Sequence, residues 1–513
     1  MSTAVSRFPH LRQDFAASLV VFLVALPLCV GVAVASGVPA ELGLVTGIVG
    51  GLVTGLLPGS SLQVSGPAAG LTVLVFEAVD TYGLPALGVI VLAAGVLQLV
   101  MGALRLGRWF RAISVSVVEG MLAGIGLVLI AGQLYAAAGL EAPAAGVDKI
   151  LGLPGAVVAA LGSPEALTPL AVGAGTVALM VLWRRMPGPA GAVPGALAAV
   201  LLATAVTLAF GLPVATVEVQ GLLGAVQPPG ADAFGELASV GLIGTIVAFT
   251  LIASAESLFS AAAVDRLHDG PRTRYDKELM AQGAGNTVCG VLGALPMTAV
   301  IVRSSTNVRA GARTKASRVM HGVWLLLFAA LLPSALALIP LPALAGILVH
   351  AGWKLIPFRP VVALWRGQRG EALILAVTAV SIVVVNMFEG VLIGLALSVV
   401  KTAWEASHAK LKVIDKGAGP IQVYLSGNAT FLRLPRILDT LESLPEDRPV
   451  ELNLTGLHHL DHACRTALGD WAEQHGAAGT VPVRITKGPK TRSTDHDTRV
   501  AAVQAPPGGS DPR

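Results

Sequence analysis

The chain has 513 residues, 54% of them hydrophobic and only 13% charged, with a formal net charge of +4. Soluble domains carry about 25% charged residues, so a protein that folds in water alone is excluded. The basic residues sit in short stretches between apolar runs, which makes the positive balance a matter of topology and speaks against nucleic acid as a partner.

Residues 1–13 read as a cytoplasmic N-terminus, because the apolar run that follows lacks a small-residue cleavage site and further runs succeed it. Residues 14–405 form the membrane domain. A bilayer crossing takes about 20 apolar helical residues. Segments of this kind begin near Asp14, Leu42, Leu62, Leu84, Ile113, Leu170 and Gly191, then near Val240, Lys277, Met297, Val319, Ile339, Glu371 and Gly390, fourteen in all. Alternate loops are basic: Arg105, Arg108 and Arg111; Arg184 and Arg185; Arg266, Arg272, Arg274 and Lys277; Arg309, Arg313, Lys315 and Arg318; Lys354, Arg359, Arg366 and Arg369. The loops between them hold Lys149 as their one basic residue and acids such as Glu218 and Glu236. The positive-inside rule then puts both termini in the cytoplasm and requires an even number of crossings. The division 14–211 and 240–405 gives seven segments to each half, so the halves run in opposite directions. Inverted repeats with broken helices at the midplane belong to transporters.

The third segment of each half carries the chemistry. In "LQVSGPAAGLTVLVFEAV" the chain starts like a strand; Ser65 suits a helix cap and Pro67 a first turn. Gly66 to Val79 is 14 residues, or about 21 Å of helix, short of a hydrocarbon core of about 30 Å. The extended part before it must be buried in protein or line a cavity. "LPMTAVIVRSSTNVRAG" repeats the outline in the second half, with Ser304, Ser305 and Thr306 as helix starters. Two such half-helices can pair their strands and aim both N-termini at one point, where free N–H groups favour an anion; Arg303 adds positive charge. The plainer alternative is small-residue packing within a helix bundle.

Glu256 lies mid-segment, with Ser260 one turn on along the same face. A carboxylate at membrane depth is costly. It reads as a proton carrier or cation site beside the substrate, or else as a structural partner of Arg303. Glu41 reads as a gate or proton sensor, or equally as a surface acid. Glu77 and Glu119 suit solvated segment ends, and Asn286 an interhelical hydrogen bond. No nucleotide-binding fingerprint is present, and Cys29, Cys289 and Cys464 fit no disulfide or metal spacing. No cofactor, metal or enzymatic reaction is expected.

The stretches "FPHLRQDFAASLVVFLVALPLCVGVAVASGVP", "QVSGPAAGLT", "AESLFSAAAVDRLHDG", "GAGNTVCGVLGALP" and "VRSSTNVRAGART", in that order, resemble the SulP family, the sulfate permeases of solute carrier family 26. The resemblance runs from residue 8 to about 490. It implies an α-helical membrane protein with a 7+7 inverted repeat, in which segments 1–4 and 8–11 form a core and segments 5–7 and 12–14 a gate. It further implies elevator-type movement of core against gate, and a homodimer. It assigns substrate binding to Ser65, Gly66 and Ala68 with Arg303, Ser304, Ser305 and Thr306. Cys29 takes the place of a glutamine common near the first-segment proline, and Glu256 is the segment-eight acid. Ala68, Val300 and Ile301 stand where sodium-coupled bicarbonate relatives have hydroxyls, so a proton or simple exchange is expected rather than sodium.

The tail, residues 406–490, reads as strand–helix followed by strand–loop–helix and is similar to a STAS domain. The loop Asp461-His462-Ala463-Cys464 lacks the serine that related regulators phosphorylate. His458, His459 and His462 read as surface histidines rather than a metal site. Residues 491–513 are polar and rich in Pro and Gly, and are expected to be disordered.

These readings point to a multi-pass protein of a bacterial-type inner membrane, in contact with lipid. It would carry small anions by secondary active transport, bicarbonate or sulfate first, dicarboxylate or chloride next. Two other classes are a nucleobase permease of the same architecture and a non-transporting regulator acting through the STAS domain. The pocket of a nucleobase carrier needs paired carboxylates, and only Glu256 is at hand.

Overall fold

The computed structural model describes residues 10–486 apart from 113, 184, 186–192, 231–233, 236–238, 418, 446 and 479–482. Arg111, Arg184, Glu236, the segment starts near Ile113 and Gly191, and the tail 491–513 fall outside the described residues or side chains. The chain divides after Ser398 into two compact units.

The first unit is helical. It opens with α1 (Leu11–Ala35) and α2 (Ala40–Val49), the latter continued by a π-turn, Gly50–Thr54. Strand β1 (Ser65–Pro67) leads through a 3-10 turn, Ala69–Leu71, into α3 (Thr72–Tyr82), then α4 (Leu84–Ala103) and α5 (Val115–Ala137). Helices α6 (Gly146–Gly162), α7 (Pro164–Trp183) and α8 (Gly195–Phe210) follow, with a short α9 (Leu222–Ala225). The second half contains α10 (Val240–Val264), α11 (Tyr275–Val291), β2 (Met297–Ala299), α12 (Ile301–Arg309), α13 (Ala316–Leu331) and a short α14 (Pro333–Leu336). It closes with α15 (Leu341–Leu355), α16 (Phe358–Gly367), α17 (Arg369–Val384) and the start of α18 (Met387–Ala406), which runs on past Ser398 into the second unit.

Among the described residues, seven helical stretches are long and apolar enough to cross a membrane, and shorter apolar helices lie between them. The protein is an integral membrane protein with several crossings. Apolar side chains also remain exposed around the helices, as lipid contact requires: Val240 is 87% and Phe210 75% exposed.

The helices sort into two groups. Helix α4 packs on α11 and α10, and α1 on α2 and α13; α15 packs on α5 and α7, and α17 on α5. Glycine makes the first of these seams tight. A side chain on Gly290 would meet the Leu92 backbone at 2.2 Å, and one on Gly95 the Thr287 backbone at 2.4 Å. Small residues that let backbones approach replace the hydrophobic drive that is absent between helices in lipid.

Two expectations need correction. The stretch around Lys149 is the helix α6 and not a loop, and α7 starts at Pro164, six residues before Leu170. Both helices accommodate a proline, Pro154 inside α6 and Pro169 inside α7. Lys149 is buried, its Nζ 4.9 Å from the Phe76 ring centroid, where the ring face replaces water.

The second unit carries β3 (Ala409–Ile414), β4 (Ile421–Ala429), α19 (Leu434–Glu442), β5 (Val450–Leu460), α20 (His462–Ala478) and β6 (Val483–Thr486). The sheet order is β3-β4-β5-β6, β3 antiparallel and the others parallel. Val423, Leu425 and Leu452 meet Ile437, Leu441 and Trp471 in its core, the one-sided pattern of helices laid on a sheet. His458 and His459 are residues of β5, and His462 opens α20, so these histidines do not share a loop.

Candidate functional site

Strands β1 and β2 pair antiparallel within the membrane unit, Ser65 opposite Ala299, Gly66 opposite Thr298 and Pro67 opposite Met297. Val300 N–H donates to Val64 O at 2.9 Å and extends the ladder. The α3 and α12 arms leave this crossing at opposite ends of three residue pairs, about 10 Å at the rise of a strand. All six strand residues are buried. Extended backbone at this depth survives because protein covers it and supplies its hydrogen bonds.

Polar side chains from neighbouring helices hold the crossing. Asn286 of α11 accepts from Met297 N–H at 2.7 Å and donates to Met297 O at 3.1 Å and to Gln98 Oε1 at 2.8 Å. Gln282 donates to Ser65 Oγ at 2.8 Å and to Glu278 Oε1 at 2.7 Å. Ser257 Oγ accepts from Ala299 N–H at 3.2 Å, and Gln63 donates to Ser257 O at 2.8 Å. Arg318 donates to Gly55 O at 2.9 Å and Leu57 O at 3.0 Å. Apart from Asn286 and the topological use of Arg318, sequence reasoning passed over these residues. Their signal was an amide or guanidinium in an apolar segment, costly there unless paired.

The helices begin later than the capping pattern suggests. Ser65 and Pro67 are strand residues, and the α-helix starts at Thr72 after the 3-10 turn. Pairing with β2 holds Ser65 extended and leaves its hydroxyl to Gln282. Ser304, Ser305 and Thr306 likewise lie inside α12 and do not start it. Ser304 Oγ accepts from Val64 N–H at 2.9 Å and donates to Val300 O at 2.7 Å. Ser305 and Thr306 both donate to Val302 O, at 3.1 and 2.8 Å.

Arg303 is the outlier. It is 1% exposed, and its guanidinium makes one hydrogen bond, Nη2 to Pro67 O at 3.2 Å. Nε and Nη1 are buried without a partner, and none of the ion pairs among the described residues involves Arg303. The guanidinium fills the space above Gly66, where an added Cβ would lie 2.1 Å from Nη1. Cys29 of α1 lies against it, and buried His321 of α13 lies within its electrostatic reach, both ring nitrogens unpartnered.

Glu256 of α10 is not Arg303's partner. Its carboxylate packs against Gly70 in the first turn of the other arm, with Oε1 2.8 Å from a Cβ built there. Ser260 is buried on the same helix. The crossing thus brings together Ser65, Gly66, Ala68, Cys29 and Arg303, with Glu256 against the β1 arm. Glu41 is elsewhere. It is buried in the first turn of α2 and accepts from Gln220 N–H at 2.6 Å and Gly221 N–H at 3.1 Å, so it is neither a surface acid nor in contact with the crossing. Thr306 faces a separate cavity between α12 and α15.

In the second unit, Asp461 caps α20, accepting from Cys464 N–H at 2.7 Å and from Phe431 N–H. Partial burial opposes its ionisation, but these amides outweigh it and hold the carboxyl below its usual range. Burial and the neighbouring carboxylate push the Cys464 thiol up to about 12, so this position is neither a hydroxyl nor a reactive thiolate. No group of metal-ligating side chains is assembled among the described residues.

Two half-length helices starting from a buried strand crossing, within a multi-pass helical unit, define a membrane carrier of the broken-helix class. The family model of the sulfate permease family matches residues 11–378, and the chain belongs to that family, one of permeases and not of enzymes. It is 28% identical over 477 residues to the putative sulfate transporter YvdB of Bacillus subtilis, covering 90% of this chain and 88% of that one. It is 26% identical over 367 residues to the bicarbonate transporter BicA of a Picosynechococcus strain, covering 68% and 62%. Among solved structures, the transmembrane domain of a cyanobacterial BicA superposes with a TM-score of 0.65 at 24% identity, over 77% of this chain and 98% of that one. Murine Slc26a9 in the inward-facing state gives a TM-score of 0.78 at 14% identity, over 94% and 86%. The shared fold therefore spans 94% of the chain, which takes in residues of the sheet-bearing unit.

Proposed function

We propose that the protein is a secondary active transporter of small anions, sulfate or bicarbonate, with the anion held where the α3 and α12 arms start. The observation that carries this reading is Arg303. A buried cation without a counter-ion is unfavourable by several kcal/mol, and an anion in the crossing would offset that cost while also meeting the first-turn N–H groups of both arms. Relatives named as sulfate and bicarbonate transporters support the choice of cargo.

Glu256, against the β1 arm and in none of the ion pairs among the described residues, is the coupling acid on this reading. Hydroxyls are missing at Ala68, Val300 and Ile301, which favours a proton or simple exchange over sodium. The half-crossing arms and two helix groups suit fourteen segments in a 7+7 inverted arrangement, moving as core against gate in a homodimer. The sheet unit is read as a STAS domain and both termini as cytoplasmic, in the plasma membrane of a bacterial-type cell.

The test is uptake by proteoliposomes of labelled sulfate, bicarbonate, chloride, dicarboxylate and uracil, each with and without a proton or sodium gradient. Uptake of sulfate or bicarbonate that Arg303→Gln abolishes supports the reading. Uptake of uracil alone, or of no solute, overturns it.

A further inference from the structure

A cavity of about 500 Å³ lies beside the crossing and is lined from both helix groups. Its volume is in the range of small-molecule sites, about 300–1,000 Å³. One wall is α1 and α12, with Val20, Val24 and Leu28 on the first and Val302, Thr306 and Arg309 on the second. The facing wall is α7, α15 and the start of α8, including Met180, Trp183 and Ile347. His350 and Lys354, one turn apart on α15, add two more polar groups on that side.

The lining is selective in two ways. Its walls are mostly apolar, and an inorganic anion gains nothing from them. Its charged residues are Arg309 and Lys354, with His350 beside them and no Asp or Glu in the lining. Arg309, exposed in the last turn of α12, presents a planar fork of donors that matches a carboxylate. We propose that this cavity binds an amphipathic organic monocarboxylate, its carboxylate on Arg309 and its apolar body between α1 and α7. Such a ligand touches both helix groups at once and holds their separation. Any transport that needs the groups to move is then inhibited without competition at Arg303. The binding itself does not depend on the transport reading.

The test uses the full chain in nanodiscs of zwitterionic lipid, with tritiated 2-naphthoate as the probe. The expected result is saturable binding, displaced by unlabelled 2-naphthoate and not by 2-naphthamide. Arg309→Gln should weaken it by about tenfold or more, the loss of one charge-assisted contact. Ala351→Trp should fill the cavity and abolish binding while the melting temperature holds. Binding that never saturates, equal displacement by amide and acid, or indifference to both substitutions would overturn the proposal. Complete displacement by sulfate, or by added phosphatidylglycerol, would also overturn it, by giving the site to an inorganic anion or a lipid headgroup. A failed uptake assay with naphthoate binding intact would sink the transport reading alone.

Discussion

The two arms that leave the strand crossing share an outline and differ in what they are made of. The first, residues 65–82, is apolar and small at its start: Gly66, Ala68 and Gly70 leave room, and other elements fill it. The Arg303 guanidinium occupies the space above Gly66, and the Glu256 carboxylate the space beside Gly70. The second arm, 297–309, is polar. It sends Arg303 back across to Pro67 O and lends Ser304 to Val64 N–H. One arm supplies space, the other supplies charge and cross-links. The resemblance between "VSGPAAG" and "VIVRSST" is therefore one of backbone shape, and side-chain function is divided between them.

Four substitutions test this division, in falling order of expected effect. Arg303→Gln removes the charge that the crossing accommodates. Anion affinity should fall by about 10- to 100-fold, the worth of a hydrogen bond to a charged group. The melting temperature should hold or rise, because an unpaired buried cation costs stability. A large fall in melting temperature without loss of anion binding would make Arg303 a structural residue and erase the contrast between the arms.

Gly50→Ala tests the backbone beneath the first arm. An added Cβ would lie 2.5 Å from Ser65 O, a backbone atom that cannot move aside. Destabilisation by about 1–3 kcal/mol is expected, read by thermal melting in detergent. A normal melting curve would show that β1 is not held from below.

Gly66→Ala separates space from charge. Its Cβ would collide with Nη1, the tip of a flexible side chain, so Arg303 should shift and the fold should survive. Affinity weakened by about tenfold with an unchanged melting temperature is the expected pair of results; unchanged affinity would remove Gly66 from the proposed site.

Ser304→Ala should have the smallest effect on transport. The hydroxyl is engaged with Val64 N–H and Val300 O, so its loss should cost about 1 kcal/mol of stability with KM nearly unchanged. A raised KM would return Ser304 to the substrate.

Much of this was legible beforehand. A half-length apolar helix after an extended start declares a broken segment, because length and hydropathy are local properties. Arg303 and Glu256 stood out for the same reason, as charges where lipid forbids them. The capping signals misled at both arms. Ser65 can cap a helix in isolation, yet the partner strand offers its backbone a ladder and Gln282 takes its hydroxyl. The supposed pairing of Glu256 with Arg303 failed because each lies against a different glycine. Glu41 was ambiguous since burial by the 216–222 segment depends on a distant part of the chain. Lys149 was misplaced because its helix is held by packing on α5 and α17, contacts that the local sequence does not display.

By itself the sequence determined that the chain lives in a membrane, that two of its apolar segments begin as extended chain, and that a sheet-bearing unit follows. These rest on composition, on periodicity and on the cost of charge in lipid, all readable within a window of about 20 residues. Tertiary structure alone decided which hydroxyls are spent on backbone and which nitrogens of Arg303 stay unpartnered. It also decided that space on one arm receives charge from the other. Those outcomes depend on contacts between residues more than two hundred positions apart, such as Ser65 with Gln282 and Pro67 with Arg303. In a close-packed interior, what a side chain can bind is set by what already touches it.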